Sequence, residues 1–308
     1  MTPSRHVAVL MGGISAEREV SLHTGEQVLR ALEARGHRVV TLDTADLGFI
    51  EKLRNGGFDV AFICLHGRGG EDGTMQGLLE ILGLPYVGSG VLASALAMDK
   101  VASKHIFAAA GLPTPPAVAL TAMPDDTASI ISDLGAKLVV KPVSEGSSVG
   151  MSIVHGPDEL LPALELAFGH DDTVLVEAFV AGAEVTIGVL GNDVVEALPT
   201  LEVVPEHEFY DYESKYVPGM SRHIIPARVS ETVRTECQRI AIAAHGALGC
   251  RGMSRADTIV TAEEDVYLLE VNTIPGMTAT SLLPDAARAA GIEFPDLCTR
   301  LVELALER

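Results

Sequence analysis

Basic residues are scarce in this 308-residue chain: 22 lysines and arginines stand against 42 aspartates and glutamates, a formal net charge of −20. Such a surface repels nucleic-acid phosphates except where a few cations converge in a cleft, so no nucleic-acid partner is expected. Cysteine is rarer still. Cys64, Cys237, Cys250 and Cys298 lie far apart, with no C-x-x-C pair, which argues against a disulfide framework or zinc knuckle and for buried thiols. The longest uncharged stretch, Ile81 to Met98, is interrupted by Gly83, Pro85, Gly88 and Gly90, the punctuation of strand, turn and helix rather than of a membrane span. Val7 to Met11 is too short an apolar run for a signal peptide, and a soluble, cytoplasmic protein is expected. Internal repeats and low-complexity segments are also missing.

What is present is core material. With 47% apolar and 21% charged residues, the chain is neither disordered nor a coiled coil. Its length suggests two or three domains that together bury roughly three quarters of the extended surface. The first ninety residues alternate strand-length apolar runs (Val7 to Met11, Arg38 to Leu42, Val60 to Leu65) with helix-period stretches, as a doubly wound parallel sheet requires. Met98 to Gly111 reads as a helix, and the proline-rich stretch 112–116 as a linker. A small mixed unit follows: strands near Ala117 to Leu120, Leu138 to Val140, Met151 to Val154 and Val174 to Glu177, with helices over Asp125 to Gly135 and Pro157 to Phe168. From Glu184 onward strands dominate, broken by a tyrosine-rich loop from Pro205 to Arg222 and a long helix from Ser230 to Leu248.

Two β-type runs, Arg255 to Val260 and Val266 to Asn272, flank a turn-like segment and read as a hairpin. A turn centred on Glu263-Glu264 sets Asp257 opposite Glu270 and Arg255 opposite Asn272, all four on one face. Facing carboxylates are destabilising unless a cation lies between them. A magnesium ion held by Asp257, Glu270 and Asn272 against a nucleotide fits that need; a solvated polar face with a one-residue register slip is the bland alternative. Lys141 stands at a strand end before the small-residue loop Ser144 to Gly150, suited to approach phosphate with backbone N–H groups, though a flexible hairpin with a snorkelling lysine reads equally well. Gly88-Ser-Gly90-Val-Leu-Ala93 imitates a dinucleotide fingerprint, but no acidic residue follows about twenty positions on, and an interdomain turn is the better reading. The loops Gly12 to Glu19 and His66 to Gly73 follow strands of the first unit, where open parallel sheets bind ligands. Glu17 is suited there to take a substrate ammonium and His66 to donate a hydrogen bond; solvation and capping are the alternatives.

Taken in order, GGISAEREVS (12–21), LHGRGGEDGTMQG (65–77), MDK (98–100), VKPVSEGSSVGMS (140–152), FYDYESKY (209–216), RADTIV (255–260) and EVNTIPGMTATSLLP (270–284) closely resemble the D-alanine–D-alanine ligases of the ATP-grasp superfamily. The resemblance runs nearly the whole length. It implies an α/β, three-domain ATP-grasp fold: an N-terminal doubly wound substrate-binding domain over 1–95, a central domain over 96–184, and a catalytic domain over 185–308 with a lid loop over 205–222. It implies ATP, two D-alanines and two magnesium ions, with manganese as a substitute, and a cytoplasmic homodimer without membrane attachment that makes a peptidoglycan precursor through an acylphosphate.

The family's residue roles carry over by motif. Lys100 and Lys141 would hold the nucleotide phosphates; Glu177, Phe179, Val180, Glu184 and Tyr210 would contact the rest of the nucleotide. Lys215 would reach the γ-phosphate. Asp257, Glu270 and Asn272 would be the metal ligands, and Arg255 the oxyanion partner. Glu17 would bind the first ammonium and latch with Ser147 and Tyr216 across the lid. His66 lines the substrate side, and Gly276, Ser281 and Leu282 the second D-alanine site. Three positions depart from the family pattern: Ala178 stands for a lysine, Phe179 for a tryptophan and Ile274 for a serine. The alternatives are a relative joining D-alanine to D-lactate or D-serine, a nicotinamide enzyme using Gly88 and Gly90, and a catalytically silent nucleotide binder; Tyr216 favours D-alanine as second substrate.

Overall fold

Three parallel strands open the chain in a computed structural model that describes residues 3–146, 148–205, 220–278 and 281–307. They are β1 (His6–Met11), β2 (Arg38–Asp43) and β3 (Val60–Ile63), in the order β2-β1-β3, linked by helices α1 (Arg18–Ala34) and α2 (Phe49–Asn55). A parallel sheet must be covered on both faces, and the alternation along the strands does this. Val7, Val9, Val60 and Phe62 join one core, while Ala8, Leu10, Ala61 and Ile63 join another on the opposite face. The first core also takes in the last two helices, α9 (Leu282–Ala289) and α10 (Phe294–Leu306), through Leu283, Leu297, Leu301 and Val302. The two ends of the chain therefore share one apolar interior.

Helix α3 (Thr74–Leu82), which the sequence reading missed, leads to α4 (Val91–Met98) and α5 (Lys100–Ala109). The helix expected over Met98 to Gly111 is α5, which starts after Asp99, whose Oδ1 accepts hydrogen bonds from Val101 and Ala102 N–H at 2.9 Å each and caps it. An aspartate at that spot stops one helix and starts the next.

The central sheet is antiparallel, ordered β4-β7-β5-β6, with β4 (Ala117–Leu120), β5 (Leu138–Pro142), β6 (Ser152–Val154) and β7 (Val174–Ala178). Helices α6 (Ala128–Leu134) and α7 (Pro157–Phe168) cover one face, where Leu138, Val140, Leu160, Leu164, Val174 and Val176 form a separate core.

The third sheet runs β11-β10-β8-β12-β13, with β9 alongside β8. Its strands are β8 (Ala183–Gly191), β9 (Val195–Ala197), β10 (Leu201–Pro205), β11 (Ser221–Ile224), β12 (Gly252–Val260) and β13 (Val266–Asn272). One face packs on α8 (Glu231–Leu248) through Val185, Ile187, Ala256, Leu268, Val271 and Ile240; polar residues crowd the other. Ala93 of α4 and Phe107 of α5 belong to this same core. Residue 95, after which a division is expected, lies within α4, and residue 184 within β8. All four cysteines are buried free thiols, and among the described residues no helix is long and apolar enough to cross a membrane.

Candidate active site

Antiparallel pairing aligns the polar face of the third sheet into rows. Thr186 lies beside Asp257 and Asp257 beside Glu270; one step along, Gly188, Arg255 and Asn272 form the next row, and Glu184 pairs with Ile259. The facing carboxylates read from the hairpin are therefore in register, but the strands reach that register through a bulge. Nearer the turn Thr258 opposes Leu268, not Leu269, and the shift falls between Asp257 and Thr258. Strict alternation would put Glu270 and Asn272 on the same face as Val266 and Leu268, against α8. One extra residue, Leu269, reverses the phase, and Leu269, Glu270 and Asn272 all line a cavity of about 950 Å3.

Asp257 is the hub of this wall. Arg255 donates to it twice, Nε to Oδ1 at 2.9 Å and Nη2 to Oδ2 at 2.8 Å. Thr186 Oγ1 donates to Oδ1 at 2.6 Å and Asn272 Nδ2 to Oδ2 at 2.9 Å. Among the described residues no three His, Cys, Asp or Glu side chains converge as a metal cluster. Two carboxylates and an amide oxygen remain, a hard-oxygen donor set that suits magnesium when substrate phosphates complete the shell.

The opposite wall comes from the central sheet, whose cavity face alternates with its core face. Val139, Lys141, Ile153 and Glu177 line the cavity, and Val139 lies directly opposite Glu177. Lys141 forms an ion pair with Glu177 Oε2, and Lys104 Nζ lies 2.6 Å from Oε1. All three side chains are buried. Burial pulls the Lys141 ammonium down, but attraction to Glu177 and then Glu270 outweighs it and raises the pKa above the ordinary lysine value. Burial prevails at Lys104, whose pKa is lowered. Glu177 is held below the usual carboxylate range, since its two lysines overcome the opposing effect of burial. Glu270 thus acts electrostatically on Lys141 from across the cavity.

Lys100 Nζ donates to the Glu145 carbonyl at 2.7 Å, holding the loop after β5. Ala178, Phe179, Val180 and Glu184 line one end of the cavity. The Phe179 ring carries Lys137 Nζ 3.8 Å from its centroid, and its backbone N–H donates to Lys137 O at 3.1 Å. The aromatic departure at 179 is therefore fixed on both ring and backbone.

From the first unit, Glu17 and His66 are buried and reach the same cavity. A Cβ on Gly67 would come 2.9 Å from Glu17 Oε2, and one on Gly146 would come 3.1 Å from it. Gly67 has φ +69°, so both its conformation and the close approach of the carboxylate favour glycine there. Glu71 Oε2 accepts from Gly67 N–H at 2.8 Å, and Glu71 Oε1 lies 3.9 Å from His66 Nδ1. On the far side, Ser281 opens α9 and its Oγ accepts from Thr278 N–H at 3.1 Å, while a Cβ on Gly276 would meet that Oγ at 3.0 Å. Gly276, Ser281 and Leu282 all line the cavity. Ile274 is buried in the core with Leu10, Leu65 and Tyr86, which accounts for an apolar residue at that departure.

Glu17, His66, Lys100, Lys141, Glu177, Phe179, Val180, Glu184, Arg255, Asp257, Glu270, Asn272, Gly276, Ser281 and Leu282 thus border one cavity. Ser147, Tyr210, Lys215 and Tyr216 lie outside the described residues. Gly88 and Gly90 do not line the cavity. Gly88 packs against Gly252, and Ser89 Oγ accepts from Arg251 N–H at 3.2 Å, as expected of a turn between units. The sequence reading missed Lys104, Thr186 and the pair His223 and Asp285, whose Nδ1 and Oδ2 are 2.6 Å apart on the cavity rim. Lys104 had a signal: it stands four residues after Lys100, on the same helix face.

The D-ala D-ala ligase C-terminus model matches residues 106–303 and the D-ala D-ala ligase N-terminus model residues 47–89. The D-alanine–D-alanine ligase of Pelotomaculum thermopropionicum is 52% identical over 308 residues, covering 98% of this chain and 96% of that one. That of Desulforudis audaxviator is also 52% identical, covering 99% of each. The ATP complex of the Bacillus anthracis D-alanine–D-alanine ligase superposes with a TM-score of 0.86 at 34% identity, covering 99% of this chain and 98% of that one. The D-Ala:D-Ser ligase VanG of Enterococcus faecalis gives 0.84 at 31%, covering 98% and 100%. With a family model over more than half its length and relatives at 52% identity from end to end, the chain belongs to the D-alanine–D-alanine ligases, an ATP-grasp family.

Proposed function

We propose that the chain joins two D-alanines into D-alanyl-D-alanine with conversion of ATP to ADP and phosphate, as a cytoplasmic homodimer that feeds peptidoglycan synthesis. The observation that carries this reading is the pairing of walls: a lysine wall around Lys141 faces Arg255, Asp257 and Glu270 across one cavity. We read three units around it, one bringing Glu17 and His66, one Lys141 and Glu177, and one the acidic face.

A carboxylate is a poor electrophile because its carbonyl already carries charge. Phosphorylating the first D-alanine removes that charge and installs a leaving group, giving the acylphosphate; the amine of the second D-alanine then attacks and phosphate departs. Each step concentrates charge that this chain's residues offset. Lys100 and Lys141 hold the nucleotide phosphates, and Lys215 meets the γ-phosphoryl group. Phe179, Val180 and Glu184, with Glu177 and Tyr210, take the adenosine end. Glu17 takes the first ammonium, latched with Ser147 and Tyr216, and His66 supports it. Gly276, Ser281 and Leu282 take the second substrate's carboxylate at the start of α9, where N–H groups point outward. Arg255 stabilises the oxyanion. Asp257, Glu270 and Asn272 would hold two magnesium ions, or manganese, which supply positive charge to the phosphates as the phosphoryl group moves. Arg255, Thr186 and Asn272 all donate to Asp257 and hold its carboxylate in place.

Incubation with ATP, magnesium and D-alanine tests the reading, with phosphate release and dipeptide measured together. Release should depend on D-alanine, and Glu270→Gln should lower kcat by at least about a hundredfold, in the range of removing a group that stabilises transition-state charge. No release above the control without amino acid would refute ligation. Marked preference for D-lactate or D-serine as second substrate would instead select those relatives; Tyr216 is the sequence feature that favours D-alanine.

A further inference from the structure

Lys104 has no contact with the cavity, yet it shares a carboxylate with a lysine that does. Its ammonium is 2.6 Å from Glu177 Oε1 and donates to the Pro115 carbonyl at 2.9 Å, while Lys141 takes Oε2. The side-chain exposures of Lys104, Lys141 and Glu177 are 9%, 11% and 3%. One lysine suffices to neutralise one buried glutamate, and a second buried cation is costly unless it serves another end. The cluster carries one positive charge in excess, and of its two lysines the one that lines the cavity is Lys141.

We infer that Lys104 is a positioning residue for nucleotide binding: it engages one oxygen of Glu177 so that the carboxylate cannot close on Lys141 with both. Lys141 then keeps one donor on Glu177 and offers its remaining N–H groups and charge to the phosphates. Without Lys104, Glu177 and Lys141 would form a closed, neutral pair, and a triphosphate would meet little positive potential on that wall. The inference rests on the reading of Lys141 as a phosphate-binding group.

Lys104→Met in the full-length protein should weaken ADP binding and raise the KM for ATP by about tenfold, the scale of one unit charge acting through a partly screened interior. The KM for D-alanine should stay within about twofold of the parent and kcat within about threefold. Adenosine, which has no phosphate, should inhibit both proteins equally, and Lys104→Arg should restore ADP affinity. Equal losses for adenosine and ADP would mean a general packing defect and overturn the inference, as would an unchanged KM for ATP. If Lys104→Met fails to fold, Lys104→Gln read by the same adenosine-to-ADP contrast decides the matter. Lys141→Met separates the two ideas: retention of parental ADP affinity by that variant would refute the phosphate-binding reading itself, and the inference with it, whereas loss of affinity there beside a normal Lys104→Met would refute the inference alone.

Discussion

His245 illustrates how far a single side chain's state depends on its surroundings. It sits in the last turn of α8, 2% exposed, with Nδ1 2.7 Å from Ser254 Oγ, and Nε2 has no partner among the described residues. Burial pushes its pKa down to about 4. The unfolded chain, with an ordinary histidine near 6.5, therefore binds this proton first as the pH falls. Stability should rise with pH across that window, by up to about 3 kcal/mol from this residue. His245→Gln should flatten the acid side of the profile, so that the gap between parent and variant narrows from pH 7 to pH 4.5 in urea denaturation. Parallel profiles would sink the assignment. The helix face of Lys104 was legible from its spacing to Lys100, but its burial was not: that depends on which carboxylate the fold brings to it, and Glu177 is 73 positions away in the sequence.

At the scale of elements, the bulge at Leu269 absorbs an extra residue that would otherwise turn Glu270 and Asn272 away from the cavity. Its effect is one of phase, since a single residue decides whether Glu270 faces the cavity or the apolar contact with α8. Deleting Leu269 should give a regularly alternating strand that still sets Glu270 against Asp257 and keeps Asn272 beside Arg255. The cost is the cavity wall that Leu269 provides. Steady-state kinetics should show a KM for ATP raised about three- to tenfold, within the range for losing apolar contact in a pocket, with magnesium-dependent turnover retained. A folded deletion variant with no turnover would mean that the bulge's backbone, rather than its phase, aims the carboxylate. The pairing of Asp257 with Glu270 was legible because hairpin register follows from the turn, and it held only because the bulge offset a one-residue error nearer that turn. Helix α7 and strands β1 and β4 were legible as well, with strong periodicity or clear punctuation. Helix α3 was not: it is opened by Gly73 at φ +90° and follows a glycine-rich loop that reads as irregular chain. That Ala93 of α4 and Phe107 of α5 pack in the core of the third sheet was not legible either, because an apolar helix face does not name the sheet that it will cover.

Across the whole molecule, the distribution of cores determines which parts can move independently. The parallel sheet and the final helices share one core, with Val9 and Phe62 packed among Leu297, Leu301 and Val302, and Arg35 adds a bidentate pair to Asp296 at 2.7 and 2.8 Å. The central sheet has a core of its own around Leu138, Leu160 and Val176. Leu301→Ala should therefore cost about 2–5 kcal/mol, and native-state hydrogen exchange should report that loss in β1 and β3, far away in sequence. Amides of β5 and β7 should keep their opening free energies, since cooperative units follow shared apolar contacts. Equal losses in all three sheets would mean that the chain unfolds as one body, and unaffected β1 and β3 would mean that the terminal helices are only docked on the sheet. Lys141 lies on the sheet with the separate core, while Leu190 of β8 and Met253 of β12 tie the sheet of Asp257 to the shared one, so the expected loss should reach the strands that carry the acidic face and spare the strand that carries Lys141.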